Sequence, residues 1–154
     1  MSPRREYPER PIPGVGAVVL RKHEGRFEVL LVRRRSEPMA GTWSLPGGAI
    51  ELGETTREAC AREVLEETGL TVWTVAEVES FDIILRDAAG RVQFHYLIVD
   101  ILCHVISGEL RAGEDASEAV WADVHLVLHQ GHFALTPRAC TVIRKALVID
   151  EGFA

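Results

Sequence analysis

The sequence predicts an α/β fold, a layered α/β/α sandwich around a mixed sheet, and three observations carry that expectation. Long β-branched and apolar runs occupy residues 14–34 and 70–106, the pattern expected of strands. A capped helical segment lies between those runs and a second one closes the chain, so helices are available for both faces of a sheet. The 154 residues suffice for one real core but not for two full domains. The expected division is an arm over residues 1–13 and a single domain over 14–150.

Each element has a local cause. Residues 1–13 are polar and proline-rich and read as a flexible arm. Gly14 to Arg21 and Phe27 to Arg34 read as the two strands of a hairpin, turned at His23-Glu24-Gly25-Arg26. Ser36 to Thr42 reads as a loop, and Pro46-Gly47-Gly48 punctuates the chain before a short segment, Ala49 to Leu52. Thr55 and Glu58 have the spacing of a capping box, and Gly69 is a stop signal. Between them Ala61, Val64, Leu65 and Thr68 fall at helical spacing and predict the apolar face. Leu70 to Leu85 reads as one or two strands, and Asp87-Ala88-Ala89-Gly90 as a turn. Val92 to Ile106 reads as a central strand covered on both faces. Asp100 and His104 interrupt it on one side and read as a pair satisfied locally at the core's edge. Ser107 to Glu118 reads as an acidic loop, Trp121 marks a further strand, and Val124 to Gln130 a short helix. Thr136-Pro137 opens the last helix, with threonine at the cap and proline at the first helical position.

Composition bounds the function. The formal net charge of −6 argues against a nucleic-acid binder, which would carry a basic patch. It suits anionic substrates approached through divalent cations. Cys60, Cys103 and Cys140 form no C-x-x-C pair, so neither a zinc site nor a disulfide framework is indicated, and buried free thiols are expected. No apolar run reaches the roughly 18 residues of a membrane span, and Met1 to Pro13 offers no signal sequence. A cytoplasmic protein with no membrane partner is expected, either monomeric or homodimeric.

The chemistry lies in residues 47–70. Glu63, Glu66 and Glu67 stand at i, i+3 and i+4, so their carboxylates leave one side of a helix, with the apolar set expected roughly opposite. Three like charges on a stripe repel, and a cation among them removes that penalty. Hard oxygen ligands suit Mg²⁺ or Mn²⁺, and Mg²⁺ shares its coordination with substrate phosphates. Taken alone, E-x-x-E-E is usually a solvated face. The wider spacing is more specific: Gly48, Glu54, Arg62, Glu63, Val64, Glu66, Glu67, Gly69 and Leu70 stand at G-x5-E-x7-R-E-U-x-E-E-x-G-U, with U aliphatic.

That pattern resembles the Nudix hydrolase signature at every fixed position, and Trp43 to Gly48 resembles the family's usual lead-in. The resemblance implies the family's α/β/α sandwich, with the signature as a loop–helix–loop beside a mixed sheet. It implies Glu63, Glu66 and Glu67 as metal ligands, with the Gly47 carbonyl a further one. Glu54 and Arg62 would form a supporting pair that orients Glu63. The residues themselves agree, since arginine holds carboxylates through forked, charge-assisted hydrogen bonds. Glu63 or a carboxylate from another loop would be the general base. The segment Gly113 to Glu118 is where the family often supplies a further carboxylate; Glu118 is favoured, with Glu114 and Asp115 as competitors.

The implied reaction is metal-assisted attack of water on a pyrophosphate linkage. No nucleophile triad or P-loop is present to suggest covalent or ATP-driven chemistry. Arrangement and length are similar to the small ADP-ribose pyrophosphatase-like group, without the extended N-terminal sheet domain of one large group of ADP-ribose hydrolases. The expected substrate is therefore a small nucleotide, an ADP-ribose-like nucleoside diphosphate linked to another group. Hydrolysis of nucleoside triphosphates in nucleotide-pool sanitising is the alternative. A non-catalytic nucleotide-sensing domain fits less well, because the glutamate set is complete. Phe27, Phe81, Tyr96 and Phe133 are assigned to packing rather than base recognition. Arg33, Arg34 and Arg35 either meet phosphate or sugar or form a solvated basic turn.

Overall fold

The computed structural model describes residues 4–113 and 116–152. The hairpin is formed by β1, Ile12–His23, and β2, Arg26–Arg34. Its turn residues Glu24 and Gly25 both lie at positive φ, 51° and 78°, and a two-residue turn of that kind matches the twist of paired strands. There follow β3, Trp43–Ser44, and β4, Gly47–Ala49. The helix α1 spans Thr56–Thr68. Two long strands come next, β5 at Leu70–Arg86 and β6 at Val92–Gly108. Then come β7, Ala116–Asp123, the short helix α2, Val124–His129, a 3-10 turn at His132–Ala134, and α3, Pro137–Glu151.

The sheet runs β3-β2-β1-β6-β5, with β4 paired to β1 and β7 to β2. Among the described strands β1 and β6 pair in parallel and the other pairs are antiparallel, so the sheet is mixed. Strand alternation divides the core into two layers. Val15, Ala17, Val19, Leu30, Ile101 and Cys103 face α1 through Ala59, Cys60 and Val64. Val18, Leu20, Val29, Leu31 and Leu102 face α2 and α3 through Val124, Val127, Val142, Ile143 and Ala146. The result is the expected α/β/α sandwich. Cys60 of α1 and Cys103 of β6 are both fully buried, with their sulfurs 3.6 Å apart, and all three cysteines are free. Among the described residues, no helix is long and apolar enough to cross a membrane.

Several elements differ from their sequence reading. The first strand starts at Ile12 rather than Gly14. Within the segment expected as an arm, the Tyr7 hydroxyl donates to Asp87 at 2.8 Å and the Tyr7 amide to the Gln93 carbonyl at 2.7 Å. Residues 70–86 form one strand, bent by register shifts along its pairing with β6. The middle of β6 is covered on both faces, but Leu97 and Ile106 near its ends are exposed. Asp100 and His104 are satisfied by α3 rather than by each other: Asp100 accepts from Arg138 at 2.6 Å, and His104 pairs with Asp150.

The largest difference lies in α1. Its buried residues are Ala59, Cys60, Val64, Glu67 and Thr68, while Leu65 is half exposed. The expected apolar stripe was therefore rotated away from the true one. Small side chains let the helix lie close on the sheet, and Glu67 shares the inner face with them.

Candidate functional site

The site is assembled where α1, the loop before it and the paired glycines of β1 and β4 meet. The helix starts where Thr55 accepts the Glu58 amide at 3.1 Å, and ends where Gly69 takes a left-handed conformation (φ 75°) and donates to the Leu65 carbonyl. Capping at both ends fixes the azimuth of residues 62–67 relative to the loop.

Arg62 organises the loop side. Its Nε and Nη2 donate to the two oxygens of Glu54 at 2.6 and 2.8 Å, a forked ion pair. Nη2 also donates to the Ala49 carbonyl at 3.0 Å, and Nη1 to Glu63 at 2.8 Å and Glu66 at 3.2 Å. One guanidinium thus joins β4, the loop and two helix carboxylates. The hydrogen bonds from Arg62 hold the Glu54 carboxyl down to about 2, and the same partners push the Arg62 pKa further up.

Glu63 and Glu67 form the inner pair, and each alters the proton affinity of the other. Burial, followed by the neighbouring Glu63, pushes Glu67 up to about 8, against a backbone hydrogen bond from Gly47 and the charge of Arg34. Burial also raises Glu63, with Arg62 pulling the other way. Two glycines make room here. A Cβ on Gly48 would lie 2.5 Å from the Glu63 carboxylate, and one on Gly47 would collide with the backbone of Val15. Gly47 sits opposite Gly16 in the β1–β4 ladder. Two adjacent acids in a poorly solvated place cannot both ionise readily. A proton can hold them together, and so can a hard divalent cation.

The other expected residues are placed as follows. Glu66 is half exposed and turned back to Arg62. Glu118 lies within β7, not in a loop, because the strand begins at Ala116; its carboxylate is met by Arg33 at 3.2 Å. Glu114 and Asp115 lie outside the described residues. Among the described residues, no three His, Cys, Asp or Glu side chains stand in a ready-made metal cluster; the helix presents the Glu63–Glu67 pair with Glu66 beside it. Arg34 enters the site through its charge on Glu67, while its Nε is held by the Pro38 carbonyl at 2.9 Å. Its position in the run Arg33-Arg34-Arg35 was the only signal for that. Gly113, whose amide donates to the Glu67 carbonyl at 2.8 Å, entered the sequence reading only as the start of the acidic segment.

The NUDIX domain family matches residues 10–139. The chain is 39% identical over 98 residues to the ADP-ribose pyrophosphatase of Methanocaldococcus jannaschii, covering 64% of this chain and 56% of that protein. It is 41% identical over 63 residues to a Bacillus subtilis protein provisionally named as an 8-oxo-dGTP diphosphatase, covering 41% of this chain and 40% of that one. The chain thus spans about half the length, or less, of these curated relatives. Among solved structures, a MutT NUDIX hydrolase from Burkholderia pseudomallei superposes with a TM-score of 0.71 at 27% identity, over 89% of this chain and 98% of that one.

Proposed function

The chain belongs to the NUDIX family, and from that premise we propose that it hydrolyses the pyrophosphate linkage of a nucleoside diphosphate joined to another group, with an ADP-ribose-like substrate. The observation that carries the reading is the Glu63–Glu67 pair, Glu67 buried and Glu63 partly so, framed by Arg62 and by two glycines that leave it room. Glu63, Glu66, Glu67 and the Gly47 carbonyl are the groups that would hold Mg²⁺ or Mn²⁺, a hard-oxygen set suited to those ions. When bound, the metal neutralises phosphate charge and acidifies water.

The chain's own residues do the rest. Arg62 keeps one Glu63 oxygen in a hydrogen bond, so the other is presented in a fixed direction. Glu63 accepts the proton of the attacking water. Glu54 neutralises Arg62 and stops it from reaching toward substrate phosphate. Arg34 adds positive charge on the side of Glu67. Support for the ADP-ribose class comes from the name of the archaeal relative, and support for the alternative, a nucleoside triphosphate, from the bacterial one.

A product assay decides between them. With Mg²⁺ or Mn²⁺, ADP-ribose is expected to give AMP and ribose 5-phosphate, with activity abolished by a chelator and restored by the metal. Faster release of a nucleoside monophosphate and pyrophosphate from triphosphates would replace the first reading by the second. Undiminished hydrolysis in excess chelator would remove the metal from both.

A further inference from the structure

Outside the glutamate helix, the described residues hold another pair of metal-ligating side chains on one face of a helix. His125 and His129 stand at i and i+4 on α2, with ring centroids 4.8 Å apart and planes tilted by 43°. Both residues are exposed, and among the described residues neither imidazole has a hydrogen-bond or ion-pair partner. Two imidazoles one helical turn apart form a natural two-point clamp for a transition-metal ion. We propose that His125 and His129 form a surface chelate for a borderline divalent cation of the Ni²⁺, Cu²⁺ or Zn²⁺ class, separate from the carboxylate site.

The surroundings define how many protein ligands such a site has. Asp123, the N-cap two residues before His125, is already committed: its Oδ1 accepts the amides of His125 and Leu126 at 2.9 and 3.2 Å, and its Oδ2 faces Arg26 at 3.5 Å. His132 would continue the helical spacing, but Gly131 lies at φ 67° and breaks the helix first. This agrees with the lack of any three-residue cluster among the described residues. The site therefore offers two nitrogen donors, and water completes the coordination. Imidazole nitrogen prefers these ions to Mg²⁺, which favours oxygen. The two sites are thus distinguished by donor type, and excess Mg²⁺ can occupy the glutamates without competing at α2.

The test uses the full chain without an affinity tag, in excess Mg²⁺, and paramagnetic Ni²⁺ as the probe. In imidazole NMR spectra, the His125 and His129 signals are expected to broaden first and together at substoichiometric Ni²⁺. His125→Gln and His129→Gln are each expected to weaken Ni²⁺ binding by about tenfold or more, because the second ligand acts at high effective concentration. The double variant should be little worse than either single one, and His132→Gln should bind like the parent. Melting without Ni²⁺ checks that these exposed substitutions leave the fold intact. Equal broadening of all six histidines, or additive small losses spread over the variants including His132→Gln, would overturn the chelate. Because Mg²⁺ is present throughout, neither outcome depends on the hydrolytic activity.

Discussion

Glu67 shows how one residue can work against the fold while serving the site. It sits on the inner face of α1 with Val64 and Thr68, beside Glu63, and burial raises its carboxyl to about 8. The folded state therefore binds this proton more tightly than the unfolded chain, whose carboxyl titrates near 4.5. Without metal, the associated stability is complete below about pH 4.5 and is lost as pH rises through about 8. Glu67→Gln removes the titration and the repulsion. Metal-free melting is expected to be unchanged or slightly raised near neutral pH, with a flatter decline across that window. Turnover is expected to fall by about tenfold or more, since the variant removes one of the proposed metal ligands. Glu58→Gln, on the same helix but at its capping turn, is the control and should keep its rate. Equal rates and equal Mg²⁺-induced shifts in melting for the two variants would make the acidic stripe a mere solvated face.

At the scale of elements, α1 was legible at both ends because caps are written in local chemistry. Thr55 caps by accepting the Glu58 amide and donates its hydroxyl to the Glu58 carboxylate, and Gly69 takes the left-handed turn. Its rotation about its own axis was not legible. Apolar periodicity favoured Ala61 and Leu65, but the helix packs through Ala59 and Cys60 so that two glutamates can face the glycines of β4. A functional demand overrides the periodic pattern there. Glu118 was misplaced for a different reason: the acidic loop gave no sign that β7 begins at Ala116, because that start is set by pairing with Arg34 of β2. The cap itself makes a separable prediction. Thr55→Ala should cost about 1 kcal/mol in urea unfolding while leaving turnover under native conditions nearly unchanged. A large loss of turnover with no loss of stability would show that Thr55 acts on the chemistry rather than on the helix.

Across the whole molecule, the sandwich was legible from strand runs and helix positions, whereas the parallel pairing of β1 with β6 depends on chain reversals that no local spacing encodes. That pairing buries the middle of both strands between two apolar layers. Within the α1-side layer, Cys60 and Cys103 bridge the helix and the central strand through touching sulfurs, and contact with Cys60, followed by burial, pushes the Cys103 thiol far up. Such thiols are inert while the layer is closed. Cys140, on α3, is only partly covered. An alkylating reagent should therefore label one sulfur readily, then two more together at the pace at which helix and sheet come apart. Mass spectrometry of timed samples would read that second step, and saturating Mg²⁺ should slow it if the cation ties α1 to its loop. Simultaneous labelling of all three would mean the layer breathes open freely. The buried pair thus serves as an internal clock, timing how often the glutamate helix leaves the sheet.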